Sequence, residues 1–283
     1  MFAPLPEAKT YLPGPGVCIY CTPEAAGRVT LTREHIIARK LGGALVLHNA
    51  SCTACAKIIN KEIETPFLTF ILLNARTHLG LPTSRPRTTL PWTAQVGPEV
   101  PEGLPKELSG FDFQEALPED YYAKIMMPIL SAPGILSDKA LTEQFIMTGV
   151  CSYTEPGSSP PPGRTLQVLP MNPAITCRAI AKIAHGAAVA EFGFDTFEAF
   201  LPDVIMGRTK FISHFVGSSK RKGRRRSHLH RIWFDLFGGL LIANVQIFAR
   251  YGIRPYQAIV GRPKPEFPIW HMSSLRTVPT PRQ

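Results

Sequence analysis

The sequence predicts an α+β fold: a small cysteine-stapled finger at the N-terminus, then a larger mixed α/β domain with an antiparallel hairpin. Three observations predict it. Two C-x-x-C pairs, Cys18/Cys21 and Cys52/Cys55, bracket a stretch of some 30 residues. An alanine-rich helical pattern opens at Asn172-Pro173 and ends at Gly193. Two β-rich runs flank Gly238-Gly239, a turn signal that suits a hairpin.

The finger comes first. A segment of about 40 residues is too small to hold itself rigid by burial alone. Four thiols from two knuckles close one tetrahedral zinc site, and reduced thiols are the norm in a cytosolic protein. Cys151 and Cys177 stand apart and read as buried apolar side chains. After the second knuckle, Ile58, Ile59, Ile63, Phe67, Phe70, Ile71 and Leu73 recur at helical spacing over 57–80, with Pro66 expected to kink or split the helix. Residues 81–135 read as loops and short strands, and Thr154–Arg164 as a linker. These features divide the chain into a finger with its trailing helix over 1–87 and a mixed α/β domain over 88–283.

In the second part, Asn172 is the expected N-cap and Pro173 the first helical residue. A short helix is expected over 195–206, stopped by Gly207. The hairpin is expected to lie inside a sheet, with 255–261 as a third strand. His185 reads as a packing histidine, and the aromatics of IWFDLF as core.

Composition bounds the partners. The chain has 283 residues, 45% of them hydrophobic, and a net charge of +10. That charge favours a polyanion. The longest apolar run, Leu236–Ala249, is too short and too interrupted to cross a bilayer, so a cytoplasmic protein is expected without a membrane partner. The densest basic run contains Lys220, Arg221, Lys222, Arg224, Arg225 and Arg226. Such a run suits the phosphates of nucleic acid, giving salt-sensitive affinity without sequence preference.

Between the knuckles lies a second constellation. Glu34 and His35 are adjacent, so on a strand they point to opposite faces. A histidine near neutrality suits a general base, and a carboxylate suits a hard cation. Phosphodiester hydrolysis uses both.

The order of LTREHII, LGG and ASCTACA between and around the knuckles resembles the HNH endonuclease family, and more narrowly its bacterial and phage members, over roughly residues 17–87. The resemblance implies a ββα-metal, treble-clef-like finger. It also implies metal-dependent cleavage of nucleic acid, with DNA the expected substrate. His35 matches the general base and Glu34 the acidic ligand of a catalytic magnesium or manganese ion. Cys18, Cys21, Cys52 and Cys55 match the structural zinc ligands. Asn49 matches the central asparagine that fixes the loop and orients the base. Many members carry Asn or His directly after the last cysteine, as a second ligand. Here that residue is Ala56. Asn60, one turn on, shares its helix face and is the replacement taken here, with His48, Glu62 and Glu64 as other candidates. The alternative is a zinc-binding, nucleic-acid-binding protein that has lost catalysis.

Overall fold

The computed structural model of the chain describes residues 9–21, 30–81, 124–137, 140–153 and 172–268. The division expected at residue 87 and the Thr154–Arg164 stretch lie outside the described residues.

The fold is mixed α+β. In the finger, β2 (Leu31–His35) and β3 (Leu45–Cys52) run antiparallel, and β1 (Thr10–Leu12) adds in parallel on the other side of β3. The loop joining β2 to β3 turns sharply at the LGG motif. A β-carbon at Gly43 would lie 2.0 Å from the Ile37 carbonyl oxygen, so only glycine fits there. Helix α1 (Thr53–Ile59) starts directly from β3, and Cys52 is its N-cap: the Cys55 N–H donates to the Cys52 sulfur at 3.4 Å.

Beyond α1 the helical path does not break at Pro66. It passes through in π-type turns over Asn60–Glu64 and Phe67–Ile71, and it distorts only at Leu72, before α2 (Leu73–His78). The wider turns supply hydrogen-bond partners where Pro66 has no N–H to give. The Thr65 N–H reaches back to the Asn60 carbonyl, and the Leu72 N–H to the Phe67 carbonyl.

The remainder is built round α3 (Pro173–Phe192). Asn172 caps it as expected, accepting from the N–H groups of Ala174 and Ile175 at 3.0 and 3.3 Å. Fourteen of its 20 residues are buried, so the helix is covered nearly all round. It packs both against β9 (Leu240–Gln246) and β10 (Tyr256–Pro263) and against the π-type turns of the finger's helix. Its alanines and Gly186 allow that close double contact. A β-carbon at Gly186 would already touch Ile36 of the finger at 3.7 Å.

The main sheet has five strands: β6 (Phe197–Ala199), β10, β9 and β8 (Arg231–Phe237) in order, with β7 (Val216–Ser218) also paired to β10. The hairpin and the third strand appear where the sequence put them. Gly238 and Gly239 take φ of +58° and +74°, the left-handed pair of a type I′ turn. Two expectations need correction. Of the hairpin's two strands only β9 is interior; β8 is an edge strand, and Phe237 is 67% exposed at its tip. The helix expected over 195–206 is shorter, α4 (Leu201–Ile205), because 197–199 pair with the far end of β10 instead. A two-stranded sheet of β4 (Ile125–Leu130) and β5 (Met147–Tyr153) and the short α5 (Ile212–Phe215) complete the described fold. No helix of the described residues is long and apolar enough to cross a membrane.

One apolar cluster runs from Ile19, Ile36 and Ile63 in the finger through Ile180 and Ala184 of α3 to Val245 and Ala258 of the main sheet. Two buried histidines stitch its seams. His185 binds the Ile19 carbonyl through Nε2 at 2.9 Å. His230 bridges the finger's Leu41 carbonyl through Nε2 at 2.7 Å and accepts the Phe248 N–H at Nδ1, at 3.2 Å. Burial pushes both rings down to about 4, the backbone bonds acting the other way. The unfolded chain therefore binds more protons than the folded one between about pH 6.5 and 4. Stability should fall as pH drops through that window, by up to about 1.4 kcal/mol per pH unit for each ring. Urea denaturation of His230→Gln at pH 7 and pH 5 should show a shallower loss than wild type.

Candidate functional site

The structure brings Cys18, Cys21, Cys52 and Cys55 together, with all four sulfurs within 4.8 Å of one another. Cys21 lies 3.7 Å from both Cys52 and Cys55. The edge of a zinc–thiolate tetrahedron is about 3.8 Å for a Zn–S bond near 2.3 Å. None of the four is in a disulfide. The group therefore fits structural zinc, which would fasten the strand end at Cys52 and the head of α1 to the Cys18–Cys21 knuckle. Four protein ligands would leave no open position, so zinc held here would supply rigidity rather than chemistry.

Beside it, the β2–β3 ladder carries a bulge. Thr32 pairs with Ser51, but Glu34 pairs with Leu47, so Arg33 faces extra residues of β3. Asn49 sits in that bulge with a φ of +46°, a left-handed conformation that asparagine tolerates better than most residues. The bulge sets the register that delivers Glu34 and His35.

The two neighbours then part as strand alternation requires. Glu34 is buried and His35 half-buried. Glu34 does not lie open to a cation. Lys182, arriving on α3, places Nζ 2.6 Å from Glu34 Oε1 and 3.0 Å from Glu64 Oε1. The same ammonium donates to the His35 carbonyl oxygen. Burial alone would lower Lys182, but the two carboxylates hold it well above its usual range, so it stays charged. Glu64 is held down, its burial outweighed chiefly by Lys182. Glu34 is raised by burial, with Lys182 pulling the other way. Their negative charges also add to the burial that raises Tyr20, packed behind them.

Glu34, His35, Glu64, Ala56 and Asn60 all border one cavity of about 280 Å³. Arg33, Arg39 and Lys40 line it as well, giving it a cationic rim, and Arg33 and Lys40 are exposed. Arg76 is buried and braces the rim, donating to the Lys40 carbonyl at 3.0 Å and the Leu68 carbonyl at 3.2 Å. The His35 Nε2 is buried and has no hydrogen-bond partner among the described residues. Burial and the positive charge of Lys182 push its ring down, so it is neutral near pH 7.

Residues 18–70 match the HNH endonuclease family. Comparison of the chain with curated proteins and with solved structures gives no match. The HNH segment thus runs from the first knuckle cysteine through the π-type turns, and every residue bordering the cavity except Arg76 falls inside it.

Against the second metal expected of an HNH site, the residues present do not fit. Ala56 borders the cavity with a methyl group, and the Glu34 carboxylate already holds an ammonium. Of the other candidates, Asn60 lines the cavity but accepts from the Thr65 hydroxyl at 3.2 Å. Glu62 turns away to Arg178, 3.1 Å distant. His48 is exposed and stacks beside Tyr11.

Lys220, Arg221, Lys222, Arg224, Arg225 and Arg226 lie on a loop whose backbone is pinned, and all six are exposed, with only Gly223 among them half-buried. The Arg226 N–H donates to the Ala249 carbonyl, and Gln246 donates to the Arg224 carbonyl. The loop leads through Leu229, close to Gly42, and His230, bonded to Leu41, onto the corner that carries Arg39 and Lys40.

Lys182 is the site residue the sequence did not reveal, along with Arg39 and Lys40. Metal analysis should find about one zinc per chain, and Cys52→Ala should lose it. Lys182→Met leaves two buried carboxylates without a counter-charge and should cost about 3–5 kcal/mol in denaturant titrations.

Proposed function

We propose that this chain is an HNH-type hydrolase of nucleic-acid phosphodiester bonds, with DNA the expected substrate and His35 the general base. One observation carries the reading: in the matched segment, a neutral histidine whose Nε2 has no partner among the described residues borders a cavity rimmed by arginine and lysine. A buried ring nitrogen without a partner is costly, and a water held there for attack relieves the cost. Arg33 and Arg39 would take the phosphate oxygens. Asn49 acts through the strand bulge, setting the direction in which His35 is presented. Exposed basic residues of the 220–226 loop would hold the flanking backbone.

The magnesium or manganese ion of the family resemblance enters no step of this reading, since Glu34 and Ala56 do not provide for it. The same two residues favour one alternative, a zinc-stapled protein that binds nucleic acid without cutting it. Reduced thiols serving as ligands fit a cytoplasmic setting.

Purified, zinc-loaded protein should nick supercoiled plasmid, and His35→Ala should slow nicking by at least about 100-fold. Equal rates for the two proteins would overturn the assignment of His35. Binding without cleavage by either would favour the alternative. Replacing Arg221, Arg224 and Arg226 by Gln should weaken DNA binding. It should also flatten the salt dependence, by a slope of about 1 for each phosphate no longer neutralised.

A further inference from the structure

We infer that Lys182 is a resident cation occupying the position a divalent metal would take beside Glu34, and that the HNH pocket of this chain therefore works without one. The inference goes beyond the proposed hydrolysis and does not depend on it.

The geometry has three parts. Glu34 is the acidic residue directly before the histidine of the motif, and its carboxylate is the group that would hold a metal. Its Oε1 is 2.6 Å from the Lys182 ammonium, and its side chain is only 7% exposed. A divalent ion reaching that oxygen must expel Nζ or share a buried space with it, a like-charge contact in a low-dielectric setting. Second, Glu64 approaches the same ammonium at 3.0 Å. Two carboxylates converging on one point form the oxygen-rich setting that suits magnesium or manganese, and a single positive charge already fills it. Third, Ala56 supplies no ligand from α1 at the place where the motif expects one. The ammonium also binds the His35 carbonyl, which ties this cation to the backbone of the histidine itself. Lys182 thus acts as a positioning residue: it neutralises the carboxylates and fixes the strand end that presents His35.

Removing the side chain should convert the site. Lys182→Ala leaves Glu34 and Glu64 facing a space that lacks a cation, which manganese can fill. The test is titration of the zinc-loaded full-length chain with Mn²⁺, read by the loss of the free-ion EPR signal and by thermal denaturation. Wild type should bind no Mn²⁺ that depends on Glu34. Lys182→Ala should gain a Glu34-dependent site at least about tenfold tighter than any residual Mn²⁺ binding by wild type, the scale on which ligand changes move metal affinity. Its melting temperature should rise with added Mn²⁺. Lys182→Ala/Glu34→Gln should lose both effects. A Mn²⁺ site in wild type that disappears in Glu34→Gln would overturn the inference, as would a folded Lys182→Ala that gains none. Should Lys182→Ala fail to fold, the wild-type and Glu34→Gln titrations decide alone. If nicking is seen, it should persist undiminished in buffers stripped of divalent ions by resin. If no nicking is seen at all, the Mn²⁺ titrations still stand, so failure of the hydrolase reading and failure of this inference are told apart.

Discussion

The ammonium of Lys182 sits where two parts of the chain that are far apart in sequence meet, and much of the site depends on it. Placing two carboxylates under a protein surface costs several kcal/mol each unless a counter-charge and hydrogen bonds accompany them. Lys182 supplies one charge and reaches three acceptors: Glu34, Glu64 and the His35 carbonyl. Two of these lie on the end of β2 and the third on the finger's helical path. The direction of α3 against the finger is thereby fixed at a point, whereas apolar packing alone would tolerate small slides. The alanines and Gly186 that let α3 lie close are the condition for this contact, because a bulkier face would hold the ammonium out of reach.

That constraint explains how the cysteine cluster and the histidine work together. The four sulfurs secure one end of β3 and the start of α1. The bulge at Asn49 offsets β2 against β3 between that anchor and the motif. Lys182 then holds the far end of β2 at the His35 carbonyl. A histidine whose backbone is restrained on both sides loses little freedom when it meets a ligand, which is the use of preorganisation in a binding site.

How much of this was legible in the sequence depended on range. The zinc ligands could be read because four cysteines in two close pairs admit few geometries. The hairpin could be read because both residues of its turn need positive φ, and glycine provides it. The caps of α3 were local too. The edge position of β8 and the strand at 197–199 were not, since both follow from which strand pairs with β10. Pro66 misled because the local rule assumes α-type bonding, and π-type turns evade it. Lys182 was the least legible. In the run AIAKIAHGAAVAEF it looks like any lysine on an alanine-rich helix, and its meaning comes from Glu34 and from Glu64, which lies 118 residues upstream of it.

The same contact bears on how the HNH segment relates to the rest of the chain. Residues 18–70 carry the motif, but not the charge that makes its carboxylates tolerable. Without α3, Glu34 and Glu64 would face each other with no cation between them, and one would have to take up a proton or move outward to water. Either change would disturb the strand end at His35. The neutral state of that histidine also has Lys182 among its causes, since the nearby positive charge disfavours a second one on the ring. The chemistry of the motif is therefore set jointly by the finger and by a helix outside it. A metal bound by the finger would make the motif self-sufficient; an ammonium delivered by α3 makes the site complete only when the whole chain has folded around it.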